Sequence, residues 1–113
     1  MTKKIPRQAK KIFPVLLQFK DHLVKEYGER LEKVILYGSY ARGTAQEDSD
    51  IDLLIVFSEM ESAFKEIDRL TEIKYGLMLE YDILLSTNPV TRETLAHSKL
   101  PLFKNILKEG ILV

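Results

Sequence analysis

The sequence predicts one domain of the α/β (α+β) class, a mixed β-sheet with helices packed on it. Three observations lead there. The chain has 113 residues, the size of a single domain able to bury about two-thirds of its unfolded surface. Its apolar residues switch between helical spacing and short continuous runs. The resulting order is α-β-β-α-β-α(α), with a polar loop joining the first two strands and no repeat, low-complexity tract or linker. Residues 1–113 are therefore read as one domain.

Each element has its own signal. Leu16, Phe19, Leu23 and Tyr27 recur at helical spacing, which predicts a helix over 12–27 that Gly28 stops. Pro14 is placed near its first turn, where a missing N–H matters least. The run Val34-Ile35-Leu36-Tyr37 reads as a buried strand ended by Gly38-Ser39, with a short helical turn through Tyr40, Ala41 and Arg42 to Gly43. Residues 44–49 form a polar loop and 51–57 a second, β-branched strand. Phe64, Ile67, Leu70 and Ile73 predict a helix over 61–75, ended by Gly76. A third strand is expected over 81–85. Asn88-Pro89 suits the start of a short helix through Leu95. A last helix over 102–107 stops at Gly110. The apolar helix positions are assigned to the core.

Composition narrows the function. Seventeen basic residues balance 17 acidic ones, which argues against a protein that grips nucleic acid mainly through phosphates. The absence of cysteine excludes disulfides and thiolate metal sites. His22 and His97 match no local zinc pattern and read as surface or helix-face residues. No apolar run could span a bilayer, and the basic start Met1-Thr2-Lys3-Lys4 leads into no signal core, so a cytoplasmic location is expected. Lys3, Lys4, Arg7, Lys10 and Lys11 read as a solvated arm.

The chemistry lies between Gly38 and Asp82. Asp50 and Asp52 open the second strand, and alternation points both carboxylates to one side while Ile51 faces the other. Two ionised carboxylates that close repel each other; a cation between them removes the conflict, and magnesium prefers such oxygen ligands. Asp82, in the expected third strand, would complete a three-carboxylate cage, with Glu80 as its rival on the same face. Gly38 lets a ligand approach the backbone, free N–H groups at a helix start favour phosphate, and Arg42 and the Ser39 hydroxyl add contacts to a triphosphate. Carboxylate-held metal beside a phosphate cradle is the equipment of metal-assisted nucleotidyl transfer. Singly, each residue has a plainer reading: Asp50 as a turn residue, Ser39 as a helix cap, Arg42 as a surface charge, Asp82 at an exposed strand end, Gly38 as a turn former. Their order and spacing together reverse that preference.

Gly38-Ser39, ten intervening residues and then Asp50-x-Asp52 resemble the motif of the nucleotidyltransferase superfamily that includes DNA polymerase beta. The short chain looks like the minimal nucleotidyltransferases, many of which are antitoxins paired with helical HEPN toxins. The resemblance runs from about Leu31 to Val113, including the tail from Leu102 to Gly110. It implies a polymerase beta-like fold, and two magnesium ions on Asp50 and Asp52 with Asp82 ligating one. It implies phosphate contact at Ser39, and attack of an acceptor hydroxyl on the α-phosphate of ATP, with Asp82 taking its proton. In the antitoxin branch AMP goes to a tyrosine of the toxin. Two other functions fit the same residues: a non-catalytic antitoxin that covers its toxin, and an aminoglycoside-type enzyme for a small molecule.

Overall fold

The structure, a computed structural model, describes residues 4–113. Its elements are α1 (Arg7–Tyr27), a 3-10 turn (Gly28–Arg30), β1 (Leu31–Tyr37), α2 (Ser39–Arg42), β2 (Ile51–Phe57), α3 (Ala63–Tyr81), β3 (Leu85–Thr91), α4 (Arg92–His97), α5 (Pro101–Glu109) and β4 (Ile111–Leu112). The strands form one mixed sheet in the order β3-β2-β1-β4, antiparallel except for the parallel β2–β3 pair. This is the expected α+β architecture.

Alternation divides the core between the two faces of the sheet. Val34, Leu36, Ile51, Leu53, Ile55 and Phe57 pack under α1 and α3. Ile35, Leu54, Val56 and Val90 pack under α4 and α5, against Leu95, Phe103 and Ile106. The central strand β2 is buried on both faces and so reads as an almost unbroken apolar run. Asp52 falls on the α5 side, one strand position before Leu54 on that face.

Several elements depart from the sequence reading. α1 begins at Arg7, after Pro6, and buries Ala9 as well as Leu16, Phe19, Leu23 and Tyr27. Pro14 therefore lies inside the helix rather than in its first turn. Arg7, Lys10 and Lys11 are exposed helical positions, not an arm; Lys3 lies outside the described residues. α3 runs through Gly76 to Tyr81. A helical glycine costs about 1 kcal/mol, and the burial of Leu77 beyond it offsets that cost. The buried residues of α3 are Glu66, Leu70 and Leu77, so Phe64 and Ile67 are solvent-exposed instead of core. Glu66 can occupy an inward position because Arg30 meets its carboxylate at 3.2 Å.

The third strand moves the most. It spans Leu85–Thr91 rather than 81–85, in register with β2 from Ile51↔Leu85 to Phe57↔Thr91. Pro89 sits inside it, which an edge strand tolerates, and the expected helix start at Asn88-Pro89 is strand. The short helix starts instead at Arg92, where the Thr91 hydroxyl accepts from the Thr94 N–H at 3.1 Å. Pro101 opens α5 and Gly110 follows its end, close to expectation; β4 was not anticipated.

Candidate active site

β1 and β2 are antiparallel neighbours, so the end of one meets the beginning of the other, with Tyr37 opposite Asp52. Gly38 follows β1 and turns the chain into α2 with φ +78° and ψ −156°, a backbone shape suited to glycine. A side chain at 38 is excluded a second time: a Cβ there would strike the Asp52 carboxylate. The aspartate thus lies against the bare glycine backbone. Ser39 is the first residue of α2, and its hydroxyl caps no helix N–H. The helix-cap reading of Ser39 is therefore not what the fold uses. Arg42 closes α2 and Gly43, in the left-handed region, ends it.

The charges interact. Burial first, then the neighbouring charge of Asp50, push the Asp52 carboxyl above the usual carboxylate range, and Arg42 pulls it partly back. Gly38, Arg42 and Asp50 each lie close enough to Asp52 to touch it or act on its charge. The loop leading to Asp50 is tethered to α1: Gln8 donates to the Ala45 carbonyl at 2.7 Å and accepts from the Ala45 N–H at 2.8 Å.

Asp82 is the exception. It stands not in a strand but at the C-cap of α3, with φ 52°, three residues before β3. It shares a cavity of about 410 Å³ with Glu47, Asp48 and Ser49. Among the described residues no three carboxylate or imidazole side chains gather into a cage. Glu80 is an exposed residue of α3 and also stands outside any cage. The physical reason is local. Aspartate tolerates the left-handed region better than most residues, and there it ends α3, its N–H bonding to the Met78 carbonyl. The residue level with Asp52 on β3 is Ser86.

Three neighbours of the site had no readable signal. Tyr37 is half-buried, and burial, then Asp52, raise its hydroxyl against a lowering bond from Asn88. Lys74 reaches from α3 to the Thr87 hydroxyl at 3.3 Å. Burial lowers its ammonium, and the charge of Asp50 opposes that shift. Glu109 of α5 meets Arg42 at 3.7 Å. A lone tyrosine at a strand end and a lysine among helix charges look like ordinary residues. Only the juxtaposition of α3, α5 and the sheet brings them here.

An aspartate pair at a strand start, one member packed on a glycine-serine turn after the adjacent strand, is the arrangement that the resemblance to nucleotidyltransferases implies. Comparison with known proteins agrees. Residues 16–113 match the nucleotidyltransferase domain family. The protein adenylyltransferase MntA of Thermococcus cleftensis is 30% identical over 99 residues, covering 88% of this chain and 89% of that protein. A crystal structure provisionally assigned as a nucleotidyltransferase, from Sulfolobus solfataricus, superposes with a TM-score of 0.66 at 18% identity, over 99% of this chain and 87% of that one. One chain of the structure of a tri-AMPylated Shewanella oneidensis HEPN toxin in complex with an MNT antitoxin superposes with a TM-score of 0.50 at 16% identity, over 93% of this chain and 67% of that one. At those identities the two structures speak to the fold. The chain belongs to the nucleotidyltransferase domain family, and within it to the minimal, MNT type related to protein adenylyltransferases. No described helix is long and apolar enough to cross a membrane.

Proposed function

We propose that this enzyme transfers AMP from ATP to a tyrosine hydroxyl of a HEPN-type partner, and so acts as an antitoxin. The observation that carries the reading is the seating of Asp52 on Gly38 beside Asp50 and Arg42. Burial and the charge of Asp50 both disfavour an ionised Asp52 there, and a bound cation would relieve both. Relatives named as adenylyltransferases, and a structural neighbour whose toxin is AMPylated, support adenylyl transfer and a protein acceptor.

The donor set fits magnesium. Asp50 and Asp52 supply hard oxygens, and burial makes the unshielded charge of Asp52 costly. Magnesium, when bound, would neutralise the approach of the polyphosphate and polarise its α-phosphate. The chain does the rest. The turn at Gly38 is assigned to the phosphates, with the Ser39 hydroxyl and the Arg42 cation directed to the β- and γ-phosphates. The acceptor oxygen forms its bond to the α-phosphorus while the bond from that phosphorus to the bridging oxygen breaks and pyrophosphate leaves. Asp82, which caps α3 and lines a cavity with Ser49 apart from the Asp50–Asp52 pair, is the residue assigned to take the hydroxyl proton. Docking on a separate protein would orient that hydroxyl for attack.

The test is co-expression with a HEPN-type partner followed by its intact mass. One or more added AMP units, lost with Asp82→Ala, are expected. A partner that is inhibited yet unmodified would replace this reading with steric covering. Titration calorimetry with and without a chelator examines the metal: ATP should bind well only with magnesium, and equal affinity in both conditions counts against the site.

A further inference from the structure

The C-terminal tail carries a carboxylate that neither the metal set nor the phosphate cradle uses. Its placement follows from the sheet. β4 pairs with β1 through Ile35↔Leu112 and Leu36↔Ile111, and the Val113 N–H continues the ladder to the Val34 carbonyl at 2.9 Å. Glu109 ends α5 just before this strand and lines one cavity with Gly38. Gly110, between them, is packed too tightly for a side chain: a Cβ would lie 2.5 Å from both the Ile106 carbonyl oxygen and the Ile35 side chain. The end of α5 is thereby pressed onto β1. Glu109 and Arg42 face each other across a cavity of about 340 Å³ that Tyr37, Gly38 and Asn105 also line.

A carboxylate beside a phosphate cradle is unfavourable in itself, because it repels the polyanion. Its Oε2, however, meets Nη1 of Arg42 at 3.7 Å, with both side chains about half exposed. An arginine at the end of a one-turn helix is otherwise free to swing into water. We propose that Glu109 is a positioning residue for nucleotide binding, which holds the Arg42 guanidinium over the mouth of the Gly38 cradle, where the polyphosphate lies. This rests on the nucleotide reading above. Glu109 acts through Arg42 and touches neither ATP nor the acceptor. The role of the tail is then twofold: Gly110 fixes the height of α5, and Glu109 uses that height.

A double-mutant cycle in calorimetric binding of magnesium–ATP tests it. Glu109→Gln, which keeps shape and removes charge, should weaken binding by about two- to fivefold, the range of an exposed pair. Arg42→Ala should weaken it by more than about tenfold. In the Arg42→Ala background Glu109→Gln should bring no further loss, or a gain, because only the repulsion remains to be removed. An equal loss in both backgrounds would overturn the proposal in favour of a packing role. A gain in the wild-type background would overturn it in favour of plain repulsion. Melting curves of the four proteins accompany the titrations, and a loss confined to a destabilised Glu109→Gln also overturns it. A wild-type chain that binds no ATP overturns the nucleotide reading and this proposal together. One that binds ATP but modifies no HEPN partner overturns only the choice of acceptor.

Discussion

The two ends of β2 treat charge in opposite ways. At its start, Asp50 and Asp52 repel each other, and only Arg42 is near enough to relieve Asp52. At its end, the buried Glu66 is paired with Arg30, whose guanidinium lies 5.6 Å from the centre of the Tyr27 ring and 5.7 Å from that of Phe57. The Tyr27 hydroxyl, desolvated and facing Glu66, is pushed well above its ordinary value. Arg69 sits over the other side of the same cluster and pairs with Glu26 at 3.5 Å. Both ends bury part of an acid. One end pairs a glutamate oxygen with an arginine inside the fold; the other sets two aspartates beside each other with a single arginine in reach. That difference distinguishes the two clusters more sharply than residue type does, since aspartate or glutamate and an arginine occur at both ends.

The comparison breaks if the two ends respond alike to mutation. The largest effect is expected for Asp52→Asn. Transfer of AMP should fall by at least about 100-fold, the scale of losing one preorganised electrostatic group, while the melting temperature holds or rises. Radiolabel transfer and a melting curve on the same preparation decide it, and a variant that still transfers at the wild-type rate would remove Asp52 from the chemistry. Glu66→Ala should do the reverse. It strips Arg30 of its buried partner, a change that costs 3–5 kcal/mol in a dry site and about 2 here because Arg30 is partly exposed to water. Denaturant unfolding should record that loss, and magnesium–ATP affinity should not change.

Gly38→Ala sharpens the contrast because it touches backbone and site together. The left-handed φ alone costs a non-glycine residue about 1–2 kcal/mol, and the added methyl displaces Asp52. Lower stability and weaker magnesium–ATP binding should therefore appear in the same variant, and loss of only one of the two would separate the turn from the cradle.

The smallest effect concerns pH. The folded Asp52 carboxyl is raised, so the folded state holds its proton over a window that opens at the ordinary carboxylate value, about 3.9, and extends upward. Within that window the unfolded state has already lost the proton, and stability falls as pH rises. Without metal, Asp52→Asn should therefore be the more stable protein at neutral pH, and the gap should shrink as pH falls through that window toward about 4. Thermal melts of both proteins at pH 7 and pH 3.5 measure it. A gap that widens in acid would reverse the sign assigned to Asp52.

What the sequence determined by itself was whatever depends on near neighbours. The alternation along Ile51-Asp52-Leu53-Leu54, the glycine at 38 and the helical spacing of Leu16, Phe19, Leu23 and Tyr27 are local properties, and they survive folding unchanged. The tertiary structure decided the rest. Gly76 looked like a stop, yet the burial of Leu77 carries α3 five residues further, to Tyr81. That extension makes Asp82 a helix cap and pushes the third strand to Leu85–Thr91. Phe64 and Ile67 had the spacing of a core face, but Arg30, distant in sequence, made the inward position of Glu66 affordable and turned the helix. Glu109 became a neighbour of Gly38 only when β4 paired with β1, a contact between the tail and the middle of the chain. In each case the deciding free energy is burial or charge pairing between distant segments, and no window of sequence around the residue contains its partner.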